Sequence, residues 1–258
     1  REKPLAIASL SVGITSRSSM KEPSRSFRRL GLCETAAATA VPDCGSDRGS
    51  KVPQVSAIKK QTFRERARSV LKSIWYSPRF RAVAFAPVDA LDRIRGRDPL
   101  LPPRRLQYVG RREDFAPVGA YWRDRLVRDN GLGPDGDVLD IGCGIGRAAV
   151  ALIPQLPEGR YEGFDVVPQF IAWCSREITS RHPNFRFQAA DVRNRQYNPR
   201  GDVPPSAYEF PFAADGFDAA LAASVFTHME PDGVRRYLGE AVRVLRPGGV
   251  LVATFFLV

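Results

Sequence analysis

The sequence predicts an α/β fold, a doubly wound parallel sheet preceded by an N-terminal helical extension. Three observations carry this. From residue 137 onward, short apolar runs of strand length alternate with segments whose apolar residues recur at helical spacing. The first run, Val138–Ile141, is followed at once by Gly142, Gly144 and Gly146, and then by Arg147–Pro154, which reads as helix. Glycines in that place let the backbone turn sharply and let a ligand approach with no Cβ in the way. Third, acids stand at the carboxyl ends of the first three strands: Asp140, Asp165 and Asp191. Open α/β sheets bind their ligands at that edge.

Charge divides the chain. Residues 1–112 hold 24 Lys/Arg against 9 Asp/Glu, whereas residues 113–258 hold 15 against 19, so the net charge of +11 belongs to the first part. A basic nucleic-acid face on the sheet-bearing domain is not indicated. The hydrophobic fraction of 43% allows a core, and no apolar run approaches the roughly 18–20 residues of a membrane span. Cys33, Cys44, Cys143 and Cys174 form no C-x-x-C pair, and two histidines are too few for a zinc cluster. Cys143 and Cys174 are expected to pack as small apolar residues in a reducing compartment, which points to the cytoplasm.

Taken in order, residues 1–58 are rich in Ser, Ala, Arg, Pro and Gly without a sustained period, and read as a disordered basic leader. An Arg/Ser-rich, acid-poor leader is also the composition of a transit peptide. Residues 59–112 read as a helical extension and linker. Phe63, Ala67, Val70, Leu71 and Ile74 form one stripe over 59–76, and a second helix is expected over Arg79–Arg95, kinked or divided at Pro87. Such basic stripes pack on their own domain or lie on an anionic membrane. Residues 113–258 form the domain. A helix over Gly119–Asn130 stops at Gly131. Strands follow at Asp137–Ile141, Arg160–Asp165, Phe185–Ala189, Phe217–Ala223 and Val250–Phe256. Helices lie at Pro168–Arg181 and Asp232–Leu245, the last ended by Arg246-Pro-Gly-Gly249. Residues 193–216 make a long connection that is either an acceptor wall or a passive surface excursion.

The glycine turn reads Asp140-Ile-Gly142-Cys143-Gly144-Ile-Gly146-Arg147. The dinucleotide fingerprint G-x-G-x-x-G/A would need a small residue where Arg147 stands. The string instead resembles the first motif of class I S-adenosylmethionine-dependent methyltransferases. Arg-Val-Leu-Arg-Pro-Gly-Gly at 243–249 and Ser224-Val-Phe-Thr-His228-Met resemble small-molecule members. The Asn-Pro-Pro-Tyr motif of some nucleic-acid amino-methyltransferases is absent. The resemblance implies a Rossmann-like sheet of order 3-2-1-4-5, with S-adenosyl-L-methionine as cofactor. It places Asp140, Gly142, Cys143, Gly144, Gly146 and Arg147 at the methionine end. Asp165 with Val166 falls at the ribose, Asp191 with Val192 at the adenine, and Ser224 beside the donor. His228 is a candidate general base near neutral pH; its plainer reading is a loop histidine bonded to backbone or capping the next helix.

The expected activity is methyl transfer to a small-molecule acceptor. The alternatives are a non-catalytic S-adenosylmethionine-binding module, an NAD(P)-linked oxidoreductase, which Arg147 disfavours, and a basic tethering protein. The family's sheet has seven strands and this sequence reaches five, so the sixth and seventh are expected to be missing. The chain then reads as a fragment with an unpaired edge on its last strand.

Overall fold

The computed structural model describes residues 7–13, 77–107 and 111–256. Residues 1–17 and 78–258 form one compact unit and residues 18–77 another, of which only Ser77 is described. The stripe expected over 59–76 and most of the leader lie outside the described residues.

Among the described residues six strands form one sheet: β1 (Ile7–Gly13), β2 (Val138–Ile141), β3 (Tyr161–Asp165), β4 (Phe185–Ala189), β5 (Phe217–Ala222) and β6 (Leu245–Phe256). Their order is β1-β6-β5-β2-β3-β4. Strands β2 to β6 are parallel and carry the 3-2-1-4-5 order. They are apolar because both faces are covered; all four residues of β2 are buried.

Two expectations about the ends of the sheet are corrected. Ile7–Gly13, inside the stretch read as disordered, is a strand antiparallel to β6, with Ile7 opposite Phe256 and Gly13 opposite Val250. The outer edge of β6 is therefore paired along its apolar half. The leader patch is too short and interrupted to announce a strand alone. Its hydrogen-bond partners come from an apolar strand far along the chain, so tertiary context decides its state. Arg246–Gly249 also does not separate helix from strand. It is a bulge inside β6, where the register against β5 shifts between Phe217 and Ala219 and Gly248 takes φ +88°.

The helices are α1 (Pro78–Ile94), α2 (Phe115–Val127), α3 (Arg147–Leu152), α4 (Pro168–Cys174) and α5 (Pro231–Val244). Helix α1 runs through Pro87 without dividing, and α4 continues as a π turn over Ser175–Thr179. Helix α2 begins at Phe115, four residues before the expected start. Gly119 lies inside it because α2 and α3 approach closely there: a Cβ on Gly119 would stand 2.5 Å from the Arg147 carbonyl oxygen. One face of the sheet packs on α2, α3 and α4 through Trp122, Leu126, Ala149, Leu152, Trp173 and Ile178. The other packs on α5 and the 208–212 segment through Tyr237, Ala241, Val244 and Phe210.

The strands' starting edge is tied by charge. Arg246 bonds Asp218 at 2.5 Å and Asp137 at 2.8 Å, Asp218 accepts the Asp137 N–H at 2.8 Å, and Arg160 donates to the Gly216 carbonyl at 2.8 Å. These pairs hold the edge opposite the glycine turn and leave the carboxyl edge open.

Candidate functional site

At the carboxyl edge a cavity of about 270 Å³ opens between the β2–α3 turn, the ends of β3 and β5, and α2. Its floor is the glycine turn. Gly142, Gly144 and Gly146 take φ +72°, +55° and +72°, a region that only glycine enters freely. Close packing excludes a side chain at two of them: a Cβ on Gly142 would meet Val225 Cγ2 at 2.6 Å, and one on Gly146 would meet Ile178 Cδ1 at 2.8 Å. At Gly144 nothing lies within 4 Å of the Cβ position, and this residue lines the cavity.

Asp165 knits the turn to β3. One carboxylate oxygen accepts the Gly144 N–H at 2.9 Å and the other the Val167 N–H at 2.8 Å. Each oxygen keeps an accepting direction for a ligand hydroxyl. Burial pushes the carboxyl up to about 6, and the backbone N–H groups of Val167, Gly144 and Val166 oppose that rise.

Asp140 lies deeper, 2% exposed, and accepts a hydrogen bond from the Tyr161 hydroxyl. Tyr161 is fixed by stacking on Phe185, with ring centroids 5.1 Å apart. Desolvation pushes Asp140 up to about 7; the Tyr161 hydrogen bond works against this and the nearby Asp165 adds to it. Cys143 and Cys174 are buried and unbridged, as expected of small apolar residues, and burial pushes both thiols up.

The cavity brings together Asp140, Gly142, Cys143, Gly144, Arg147, Asp165, Val166 and Ser224 of the expected set. Gly146 sits beneath it. Asp191 and Val192 do not line it: Asp191 is exposed, and Val192 is buried in the core, bridged to Val203. Instead the 193–216 connection sends Asn194 and Tyr197 to the wall. Its later part is core, since Phe210 packs on Phe164 at 5.0 Å and donates its N–H to Glu240 at 2.8 Å. The connection is thus half wall and half packing. The backbone of His228 closes a short 3-10 turn over Phe226–His228, just past β5. Ser224, at the end of β5, holds φ +59°, rare for a residue with a side chain, and donates its N–H to the buried Thr254 hydroxyl at 2.6 Å.

Sequence reasoning missed the apolar wall opposite the turn. Leu106, Val118, Trp122 and Phe170 supply it from one side, and Met229 and Tyr237 from the other. Leu106 and Trp122 carry ordinary core signals, and nothing in their spacing separates a residue facing a cavity from one facing another helix.

The comparisons agree with this architecture. Residues 138–249 match the model of the methyltransferase domain family. The phthiotriol/phenolphthiotriol dimycocerosates methyltransferase 1 of Mycobacterium ulcerans is 34% identical over 119 residues, covering 45% of this chain and 36% of that protein. The demethylmenaquinone methyltransferase of Thermus thermophilus is 31% identical over 119 residues, covering 46% of each. The chain thus spans between about a third and a half of the length of these curated relatives. A crystal structure of coclaurine N-methyltransferase overlays with a TM-score of 0.41 and 17% identity over 52% of this chain and 34% of that one. Sheet order, glycine turn and family match converge on one stretch: residues 138–249 match the methyltransferase domain family and carry the sheet order expected of a class I S-adenosylmethionine-dependent methyltransferase.

Proposed function

We propose that the chain takes part in transfer of a methyl group from S-adenosylmethionine to a small molecule with an apolar body. The observation that carries this reading is the pairing of the Gly144–Asp165 cradle with an apolar wall across one cavity. The residues present fit the cofactor. Gly144 leaves an open approach, Asp165 offers two oxygens to ribose hydroxyls, and Asp140 is an acid placed for an ammonium group. Asn194 and Tyr197 are added to the proposed set on the adenine side of the turn, alongside the expected Asp191 and Val192. The cofactor supplies an electrophilic carbon activated by its sulfonium. The chain's own contribution is orientation and the exclusion of water, which together account for a large part of the rate in a displacement of this kind. Leu106, Val118 and Trp122 support an acceptor that is apolar over much of its surface. The two relatives named for phthiotriol/phenolphthiotriol dimycocerosates and for demethylmenaquinone support such an acceptor. His228, placed after β5, is proposed as the base for an acceptor that must lose a proton.

Calorimetry on the full chain tests the cofactor half of the reading. S-adenosylmethionine or its demethylated product is expected to bind and NAD is not; saturable binding of NAD alone overturns it. Asp165→Asn is expected to weaken cofactor binding roughly tenfold to a hundredfold, the worth of a charge-assisted hydrogen bond of about 1.5–3 kcal/mol. His228→Ala is expected to leave cofactor affinity unchanged and to lower turnover. Equal losses of affinity in both variants would reverse the assigned roles.

A further inference from the structure

Helix α1 is inside out. The face it turns to its own protein is charged. Arg81 is 3% exposed and donates to the backbone carbonyls of Arg104, Arg105 and Gln107 at 2.8–2.9 Å. Asp89 is 6% exposed and accepts the Arg104 N–H at 2.7 Å and the Arg105 guanidinium at 2.9 Å. The opposite face is apolar and open. Val83, Leu91 and Ile94 are 77%, 43% and 83% exposed, with Pro87 between them, at steps of three and four residues that keep one stripe.

Charge identifies what covers this stripe. Arg79, Arg93 and Arg95 are exposed beside it. The acids of the helix are withdrawn: Asp89 is buried, and Asp92 is engaged by Arg104 and Arg112, whose hydrogen bonds hold its carboxyl below the usual range. An apolar stripe edged only by arginine complements a surface that is apolar inside and anionic outside.

We propose that α1 docks the protein in the plane of an anionic lipid surface. The docking goes beyond the methyl-transfer reading and stands independently of it. It has a geometric consequence for the site. The segment that Arg81 and Asp89 clamp, Arg104–Gln107, places Leu106 in the cavity wall. Docking through α1 therefore sets one wall of the cavity two layers from the lipid, where an apolar acceptor concentrates.

Flotation of the full chain with vesicles tests this. Binding is expected to vesicles of equal parts phosphatidylglycerol and phosphatidylcholine, to weaken with salt, and to be slight with phosphatidylcholine alone. The double variant Val83→Glu/Leu91→Glu is expected to lower the bound fraction roughly tenfold or more, since it places charge in the apolar stripe. Both positions are exposed, so the thermal midpoint and cofactor affinity are expected to hold; Ile94→Gln is the milder variant, with a smaller loss of binding. Failure of the wild type to float with anionic vesicles overturns the proposal. So does flotation of the double variant at the wild-type level, which assigns binding to the basic leader instead. A dimer in solution that the double variant converts to monomer also overturns it, since a second copy then covers the stripe. Cofactor calorimetry on the same samples keeps a failure here distinct from a failure of the methyl-transfer reading.

Discussion

Asp140 and Asp165 are both held above the usual carboxylate range by burial, and they differ in company. Asp165 has backbone N–H groups on both oxygens, whereas Asp140 has one tyrosine hydroxyl. Their folded-state values, about 7 and about 6, exceed those of an unfolded aspartate. Between about pH 4 and 7 the ligand-free folded protein therefore holds more protons than the unfolded chain, and its stability falls as pH rises through that window. The expected fall is on the order of a few kcal/mol, read as a thermal midpoint that drops between about pH 4 and 7. Asp140→Asn is expected to flatten most of that drop; an unchanged slope would show that Asp140 is ionised throughout. A ligand ammonium beside Asp140 favours its ionised form, so cofactor affinity is expected to rise with pH up to about 7. Much at this scale was legible in the sequence. The acids at the ends of β2 and β3 could be picked out because a charged residue at the edge of an apolar strand stands out. Ser224 could be named, but not its left-handed backbone, because no residue type at that position announces φ +59°.

The helices show why periodicity reads a face but not its direction. Over Arg79–Arg95 the sequence marked a helix but named no buried face; the structure buries Arg81 and Asp89 and leaves Val83, Leu91 and Ile94 exposed. Gly119 was read as the first residue of its helix; in the structure it lies inside the helix, at a close contact with Arg147. Gly119→Val is expected to destabilise by about 1–3 kcal/mol, as overpacking does, measured by chemical denaturation, since the added carbon would press on the Arg147 carbonyl. A similar dependence holds the 208–212 segment to α5. Glu240, 4% exposed, accepts the Phe210 N–H, and Arg243 reaches the Phe210 and Phe212 carbonyls at 2.9 and 2.8 Å. Burial works to raise the Glu240 carboxyl, but Arg243 and the Phe210 N–H outweigh it and hold it low. Glu240→Ala leaves a buried N–H unpaired and is expected to cost about 1–3 kcal/mol, with faster hydrogen exchange at Phe210. Sequence alone marked 193–216 as a long connection; which half lines the cavity depends on this anchoring from α5.

For the molecule as a whole, the parallel doubly wound sheet followed from the alternation of elements, and the order of its strands from the family resemblance. The antiparallel edge did not, since β1 takes its identity from β6. Removing residues 1–13 is expected to lower the thermal midpoint and to raise self-association in light scattering, because seven residues of apolar edge lose their partner. An unchanged midpoint and a monodisperse product would mean that β1 adds nothing to the sheet. The pairing of Gly13 with Val250 also sets a timetable. During synthesis β1 waits while the more than two hundred residues between it and its partner in β6 are made. Its ladder closes the longest loop in the described sheet, so it forms late and opens early. Until β6 is complete the nascent sheet has no mate for β1, and during that interval a chaperone, rather than a strand, is the natural keeper of β1.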